Sequence, residues 1–346
     1  MKASRAAALE ASERVVTPAA YAGPRLAWHA ALWQQVDRAA AAQRLSHALL
    51  LAGPAGVGKR VFAEQLARAL LCEGREAATA PLRACGHCAA CRQMETGAHS
   101  GYRCLSLATT GAAQRIPVDA VRDASAALAL TSAGARAKVL VIDRSDDLNA
   151  SSFNALLKTL EEPAADSYIL LISELLLEVP ATLRSRCQIL RFAAPSRRAA
   201  LAYMEQALPQ APESDCAQAL DENLGAPLAA LACLGDSQRS SERRAWRTQL
   251  ETLFGGHADP FGIPLPSQRD AALADLRVLK VQLWRRARQL LEGGESALPG
   301  VLRMDREATR GLEQLAANVP PDLAMQSVLI ACAGVVAARD RGHAPR

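Results

Sequence analysis

The run Gly53-Pro54-Ala55-Gly56-Val57-Gly58-Lys59 constrains this chain more than any other feature. It follows the apolar stretch His47 to Gly53, which reads as a buried strand, and precedes Arg60 to Leu71, which reads as an amphipathic helix. In that setting glycines let backbone N–H groups face a phosphate. The helix N-terminus favours the anion, and the lysine reaches the outer phosphates. A tight strand-to-helix turn alone would account for the glycines but not for Lys59. Gly53, Gly56, Gly58 and Lys59 are therefore the candidate phosphate-binding residues.

Two positions around this loop depart from the chemistry of hydrolysis. The residue after the lysine ordinarily supplies a hydroxyl to Mg²⁺, and here it is Arg60. A second apolar strand, Lys138 to Asp143, resembles a Walker B strand and keeps a metal-site carboxylate at Asp143. The next residue is Arg144, whose guanidinium stays protonated and cannot act as a general base. The pocket is expected to leave ATP or ADP binding open while hydrolysis is not expected. Asp146 and Asp147 are nearby carboxylates, but positioning dominates phosphoryl transfer, which argues against their substituting.

Cys72, Cys85, Cys88 and Cys91 follow a C-x12-C-x2-C-x2-C spacing. Four thiolates close a tetrahedral shell around Zn²⁺ and leave no open position, so the expected role is structural. Unligated cytoplasmic thiols are the bland alternative. His87 lies between two of these cysteines and reads as a bystander. The other five cysteines are scattered and read as small core residues.

Strand and helix patterns alternate over roughly 45–195, which implies an α/β domain with a parallel sheet. Helices are expected at Leu26 to Arg44, Pro117 to Leu130 and Ser151 to Glu162, and further strands at Tyr168 to Ser173 and Cys187 to Phe192. Pro195 marks a boundary. Beyond it the chain shows only helical patterns, interrupted by the polar run Ser237 to Arg244, which reads as a linker. The expected division is a flexible leader at 1–22, a phosphate-loop domain at 23–195 with a zinc module at 72–91, a small helical lid at 196–240 and an all-helical domain at 241–346. Half the chain is apolar and only 4% aromatic, which suits helices packed with small residues. The net charge of +5 permits nucleic-acid contact without arguing for it. No signal peptide is evident, and no run approaches the ~20 apolar residues of a membrane span. A soluble, cytoplasmic protein without a membrane partner is expected.

The phosphate loop, the cysteine insert after its helix, Asn154-Ala-Leu-Leu-Lys-Thr-Leu-Glu-Glu-Pro163 and Thr182-Leu-Arg-Ser-Arg-Cys187 occur in that order. The combination resembles the bacterial DNA polymerase III clamp-loader subunits, gamma/tau and delta-prime, which are AAA+ proteins. Arg60, Arg144, the lack of arginine in Gly225-Ala-Pro-Leu228 and the chain's end soon after the last helices favour the delta-prime side. The resemblance implies a subunit that helps load the sliding clamp onto primed DNA, with gamma/tau and delta subunits, the clamp and primer-template DNA as partners. It implies that the 241–346 domain is an oligomerising collar. It implies that Arg186 projects into a neighbour's ATP site as an arginine finger, with Arg184 as the nearest competitor. It also implies that Arg122, Lys158 and Thr182 face the DNA backbone. On residue chemistry alone Arg186 would be a surface arginine, and Arg122 and Lys158 the solvated faces of helices.

Two other readings differ in class. One is a catalytically active gamma/tau-like or other AAA+ ATPase with a non-standard Mg²⁺ site. The other is a zinc-ribbon nucleic-acid binder, which Arg83 and Arg92 alone support weakly.

Overall fold

A computed structural model describes residues 23–74, 81–106, 115–129, 136–174, 176, 179–235, 237–293, 298–317 and 319–342. The expected leader at 1–22 lies outside these residues. The chain divides into two compact units between Pro195 and Ser196.

The first unit is a five-stranded parallel sheet in the order β2-β3-β4-β1-β5. The strands are β1 (Ala48–Ala52), β2 (Tyr102–Leu105), β3 (Lys138–Ile142), β4 (Ser167–Ser173) and β5 (Gln188–Arg191). β1 lies between β4 and β5 and is buried at every residue, as an unbroken Ala-Leu-Leu-Leu-Ala run requires when both faces are covered. The helices are α1 (Ala30–Ala41), α2 (Lys59–Leu71), α3 (Ala89–Glu95), α4 (Val118–Ala129), α5 (Ala150–Glu161) and the single turn α6 (Ala181–Arg184). α5 starts where the Asn149 side chain accepts the Ser152 N–H at 2.8 Å, and stops short of Pro163.

Ala48, Leu50, Leu140, Ile142, Ile169 and Leu171 form one sheet face with Val121, Leu128, Leu156 and Leu160 of α4 and α5. Alternate residues such as Leu49, Leu51, Val139 and Val141 turn to the opposite face, where α2 packs. Four of the chain's aromatic residues, Trp28, Trp33, Phe62 and Phe192, gather with His29 at α2. Phe62 stacks on Trp33 at 4.1 Å between ring centroids and meets Phe192 edge-on at 5.2 Å, with the His29 ring 4.9 Å from Phe192. This cluster fixes the start of α2, and therefore the phosphate loop, against α1 and β5.

Two elements differ from the sequence expectations in this unit. β2 was not expected; the Cys-rich insert leads straight into it. α3 gives that insert a helix of its own.

The second unit is all-helical: α7 (Arg197–Ala207), α8 (Glu213–Glu222), α9 (Pro227–Gly235), α10 (Ser237–Phe254), α11 (Arg269–Gly293), α12 (Leu298–Ala316) and α13 (Pro321–Gly342). Its described residues form two hydrophobic clusters. Ala200, Met204, Leu220 and Ala230 join α7, α8 and α9. Trp246, Leu250, Leu276, Leu283, Met304, Met325 and Leu329 join α10 to α13. The expected linker at Ser237 to Arg244 is instead the first half of α10. Its polarity misleads because α10 is anchored from its second half, where Trp246, Leu250, Leu253 and Phe254 are buried at helical spacing. Among the described residues α13 is the one helix long and apolar enough to cross a membrane by length and composition, over Pro321–Ala338. It places Ala324, Met325, Val328, Leu329, Cys332 and Val336 in the second cluster.

Candidate nucleotide site and four-cysteine centre

The phosphate loop joins β1 to α2 as the sequence requires. Gly58 takes φ 99° as the residue before α2, and a Cβ there would come within 2.5 Å of Leu26 Cδ1 and 2.9 Å of His29 Cε1. Beneath it the Val57 carbonyl accepts two hydrogen bonds, from Trp28 Nε1 and from His29 Nε2, each at 2.9 Å. His29 is buried, and burial lowers its pKa to about 4 against the opposing pull of the Val57 carbonyl. The imidazole is therefore neutral at pH 7 and carries its proton on Nε2. Gly53 is equally constrained, since a Cβ would lie 2.2 Å from the Phe192 carbonyl oxygen. Gly56 adopts φ 72°. Lys59 is buried and folds back so that Nζ donates to the carbonyls of Gly53 and Pro54, both at 2.6 Å.

Arg60 crosses from α2 to the sheet. Its Nη1 pairs with Asp143 Oδ2 at 2.8 Å, and its Nη2 with Glu64 Oε1 at 2.7 Å. Nη2 also donates to Cys104 Sγ at 3.2 Å. Glu64 is wholly buried and accepts the Tyr102 hydroxyl at 2.5 Å. Burial works against the Arg60 charge, but the surrounding acidic groups outweigh it and hold the guanidinium pKa above its ordinary value. Burial raises the Glu64 carboxyl, opposed by Arg60 and Tyr102. The Cys104 thiol is raised chiefly by burial. Cys104 is thus more than the small core residue expected from sequence.

Asp143 and the phosphate loop are brought together at the ends of β3 and β1. Arg144 follows in the left-handed region at φ 60° and ψ 68°, an uncommon conformation for a side-chain-bearing residue. Both carboxylate oxygens of Asp146 are engaged: Oδ1 accepts from Ser173 Oγ at 2.8 Å and Oδ2 accepts the Glu174 N–H at 2.7 Å.

The four predicted cysteines converge. Their Sγ atoms all lie within 4.8 Å of one another, with Cys72–Cys88 at 3.9 Å and Cys85–Cys91 at 4.0 Å. A tetrahedron with zinc–sulfur bonds of about 2.3 Å has edges of roughly 3.8 Å, so the set fits a metal such as zinc. Backbone N–H groups of Cys85, Cys88 and Cys91 point at the sulfurs of Cys72, Cys85 and Cys88 at 3.3–3.4 Å. Burial opposes the Cys88 thiolate, but N–H groups from Cys91, Gly74 and Glu73 bring its pKa down to about 6. Burial pushes Cys91 up to about 12. His87 stays outside the cluster, exposed, with Nδ1 2.9 Å from the Cys85 carbonyl oxygen.

Arg186 lies at the domain edge, 37% exposed. Its Nη2 pairs with Glu161 Oε1 at 2.5 Å and its Nη1 donates to the Thr182 carbonyl at 2.7 Å. The two sequence motifs ending α5 and spanning α6 are therefore joined by one ion pair. Lys158 is exposed one turn before Glu161, Thr182 is exposed on α6, and Arg122 is exposed on α4, 3.2 Å from Asp119.

Sequence reasoning missed Glu64, Tyr102, Cys104 and His29. Glu64 had a signal, since it stands four residues after Arg60 on one helix face.

A family model described as DNA polymerase III, delta subunit, matches residues 28–196. Over 222 residues the chain is 38% identical to the DNA polymerase III subunit delta' of Pseudomonas aeruginosa, covering 63% of each. It is 34% identical over 202 residues to the subunit delta' of Escherichia coli, covering 58% of each. It is 41% identical over 144 residues to the subunit tau of Salmonella typhimurium, covering 42% of this chain and 21% of that one. The chain thus spans less than two thirds of the length of these relatives.

Proposed function

We propose that the chain, which over residues 28–196 matches the DNA polymerase III delta-subunit family model and resembles delta' subunits, is a clamp-loader subunit of the delta-prime kind that assists ATP hydrolysis by a neighbour without hydrolysing ATP itself. The observation that carries this reading is the Arg60–Asp143 ion pair at 2.8 Å. The guanidinium holds the carboxylate that would serve a metal, and it replaces the hydroxyl that would share that metal. Arg144 adds no general base, and both Asp146 oxygens are engaged.

Catalysis then passes outward. Arg186 sits at the domain edge, anchored by Glu161 and the Thr182 carbonyl, and offers a planar cation to the transferring phosphoryl group in the next subunit. Arg122, Lys158 and the Thr182 hydroxyl contact primer-template backbone phosphates. Residues 196–240 act as lid and 241–346 as the collar that assembles with gamma/tau and delta, in a cytoplasmic complex that loads the sliding clamp. Cys72, Cys85, Cys88 and Cys91 hold a structural Zn²⁺, which supplies cross-linking of the insert when bound.

The test is ATP hydrolysis by the purified chain alone. The reading requires turnover at background; turnover near ~1 per second would favour an active gamma/tau-like ATPase.

A further inference from the structure

We propose that the phosphate loop binds a nucleoside polyphosphate without a metal ion, the Arg60 guanidinium occupying the place that Mg²⁺ takes in a hydrolysing site. This rests on reading the pocket as a nucleotide site without turnover.

The argument begins with the loop. Residue 60 is where a hydroxyl would normally bind Mg²⁺, and a carboxylate at the end of the second strand completes that metal site. Here the position-60 side chain spans the same gap and reaches Asp143 at 2.8 Å. Its other nitrogen is fixed by Glu64 at 2.7 Å and Cys104 at 3.2 Å, and Glu64 is itself fixed by Tyr102 at 2.5 Å. The cation is thus held from the side of the sheet by groups on α2, β2 and the end of β3.

A divalent ion entering this place meets two obstacles. It must lie beside a fixed positive charge, and Asp143 is already neutralised. Drawing Arg60 away to admit it would strip the wholly buried Glu64 of its cation, which is costly for a buried pair.

The exchange gives the phosphates one positive charge where Mg²⁺ would give two, so binding leans on Lys59 and the loop's backbone donors. Arg60 carries one positive charge into the site, and Lys59 carries another. Lys59 rests on the Gly53 and Pro54 carbonyls at 2.6 Å, partners that an anionic phosphate outcompetes as a charge-assisted acceptor. The loop N–H groups and the start of the thirteen-residue α2 complete the cradle.

The full chain is titrated with fluorescent mant-ADP and mant-ATP in excess Mg²⁺ and again in EDTA. The expected dissociation constants agree within about twofold between the two conditions. Arg60→Thr should make binding depend on Mg²⁺ by about tenfold or more. Wild-type binding that tightens about tenfold with Mg²⁺, or no binding at millimolar nucleotide, overturns the proposal. Because Arg60→Thr uncovers Glu64 and can unfold, a second measurement uses the wild type alone. Electron paramagnetic resonance of Mn²⁺ with ADP should show no protein-bound ternary signal, and such a signal contradicts the proposal. Mg²⁺-dependent binding without turnover would overturn this inference and leave the proposed function standing, whereas ATP turnover would remove the reading beneath both.

Discussion

Arg60 and Asp143 meet at 2.8 Å at the mouth of the phosphate loop, so the cation and the carboxylate of this site satisfy each other inside the protein. In a hydrolysing site that carboxylate would instead be spent on a metal. The same arginine also shields Glu64, which makes one substitution both a functional and a structural change.

Arg60→Ala should therefore destabilise the first unit by about 3 kcal/mol, the order expected when a buried charge loses its partner. The loss should shrink at acid pH. Without Arg60, burial raises the Glu64 pKa further, so the variant's fold gains from a proton on Glu64 that is lost as pH rises through that raised value. Urea unfolding of wild type and variant at pH 5 and pH 8 checks this. An equal gap at both values would show that Glu64 does not carry the penalty.

His29 should make the same unit acid-sensitive. Its pKa falls from 6.5 to about 4 on folding, so the neutral ring's stabilising contribution is complete above pH 6.5 and is lost as pH falls to about 4. The full difference is about 3 kcal/mol. His29→Gln keeps an N–H within reach of the Val57 carbonyl and does not titrate. Its stability should decline less between pH 6.5 and pH 4 than that of the wild type, as measured by denaturant midpoint.

Reduced, purified protein should carry about one Zn²⁺ per chain, and Cys88→Ser should release it. Nucleotide binding should survive, because the insert leaves from the far end of α2. Loss of the metal cross-link should lower thermal stability by about 5 °C or more, although the insert keeps its ties from Arg68 to Glu95 at 3.1 Å and from the Leu82 N–H to Asp37 Oδ1 at 2.8 Å. Metal analysis below about half an equivalent in wild type would remove the site.

The parts of this fold that the sequence made legible have physical reasons. β1, β3 and β4 lie inside a parallel sheet and are apolar on both faces, so each shows as an unbroken run. β2, at the sheet edge, is four residues long with only Tyr102 and Leu105 buried, and shows no such run. The cysteine cluster was legible because metal ligation dictates its spacing. The phosphate loop was legible because few sequences place glycines and lysine between strand and helix. The Arg60 network was not, since it depends on α2 lying over β2 and β3, which no local pattern encodes. α10 was hidden because the half that begins it is polar, while Trp246, Leu250, Leu253 and Phe254 of the half that ends it are buried.

The central claim is that this chain serves another subunit's chemistry, and Arg186 tests it most directly. Arg186→Ala should leave the chain folded and able to assemble, because the side chain is 37% exposed and pairs with Glu161, itself half exposed. Single-turnover ATP hydrolysis by the reconstituted clamp loader is the measurement. The site facing this subunit should slow by roughly 10³–10⁵, so the amplitude of the fast phase falls by one site's share. Arg186→Lys should restore little of it, because an ammonium lacks the planar fork, and Arg184→Ala should leave it nearly intact. A complex carrying Arg186→Ala that keeps the full wild-type amplitude and rate would contradict the account.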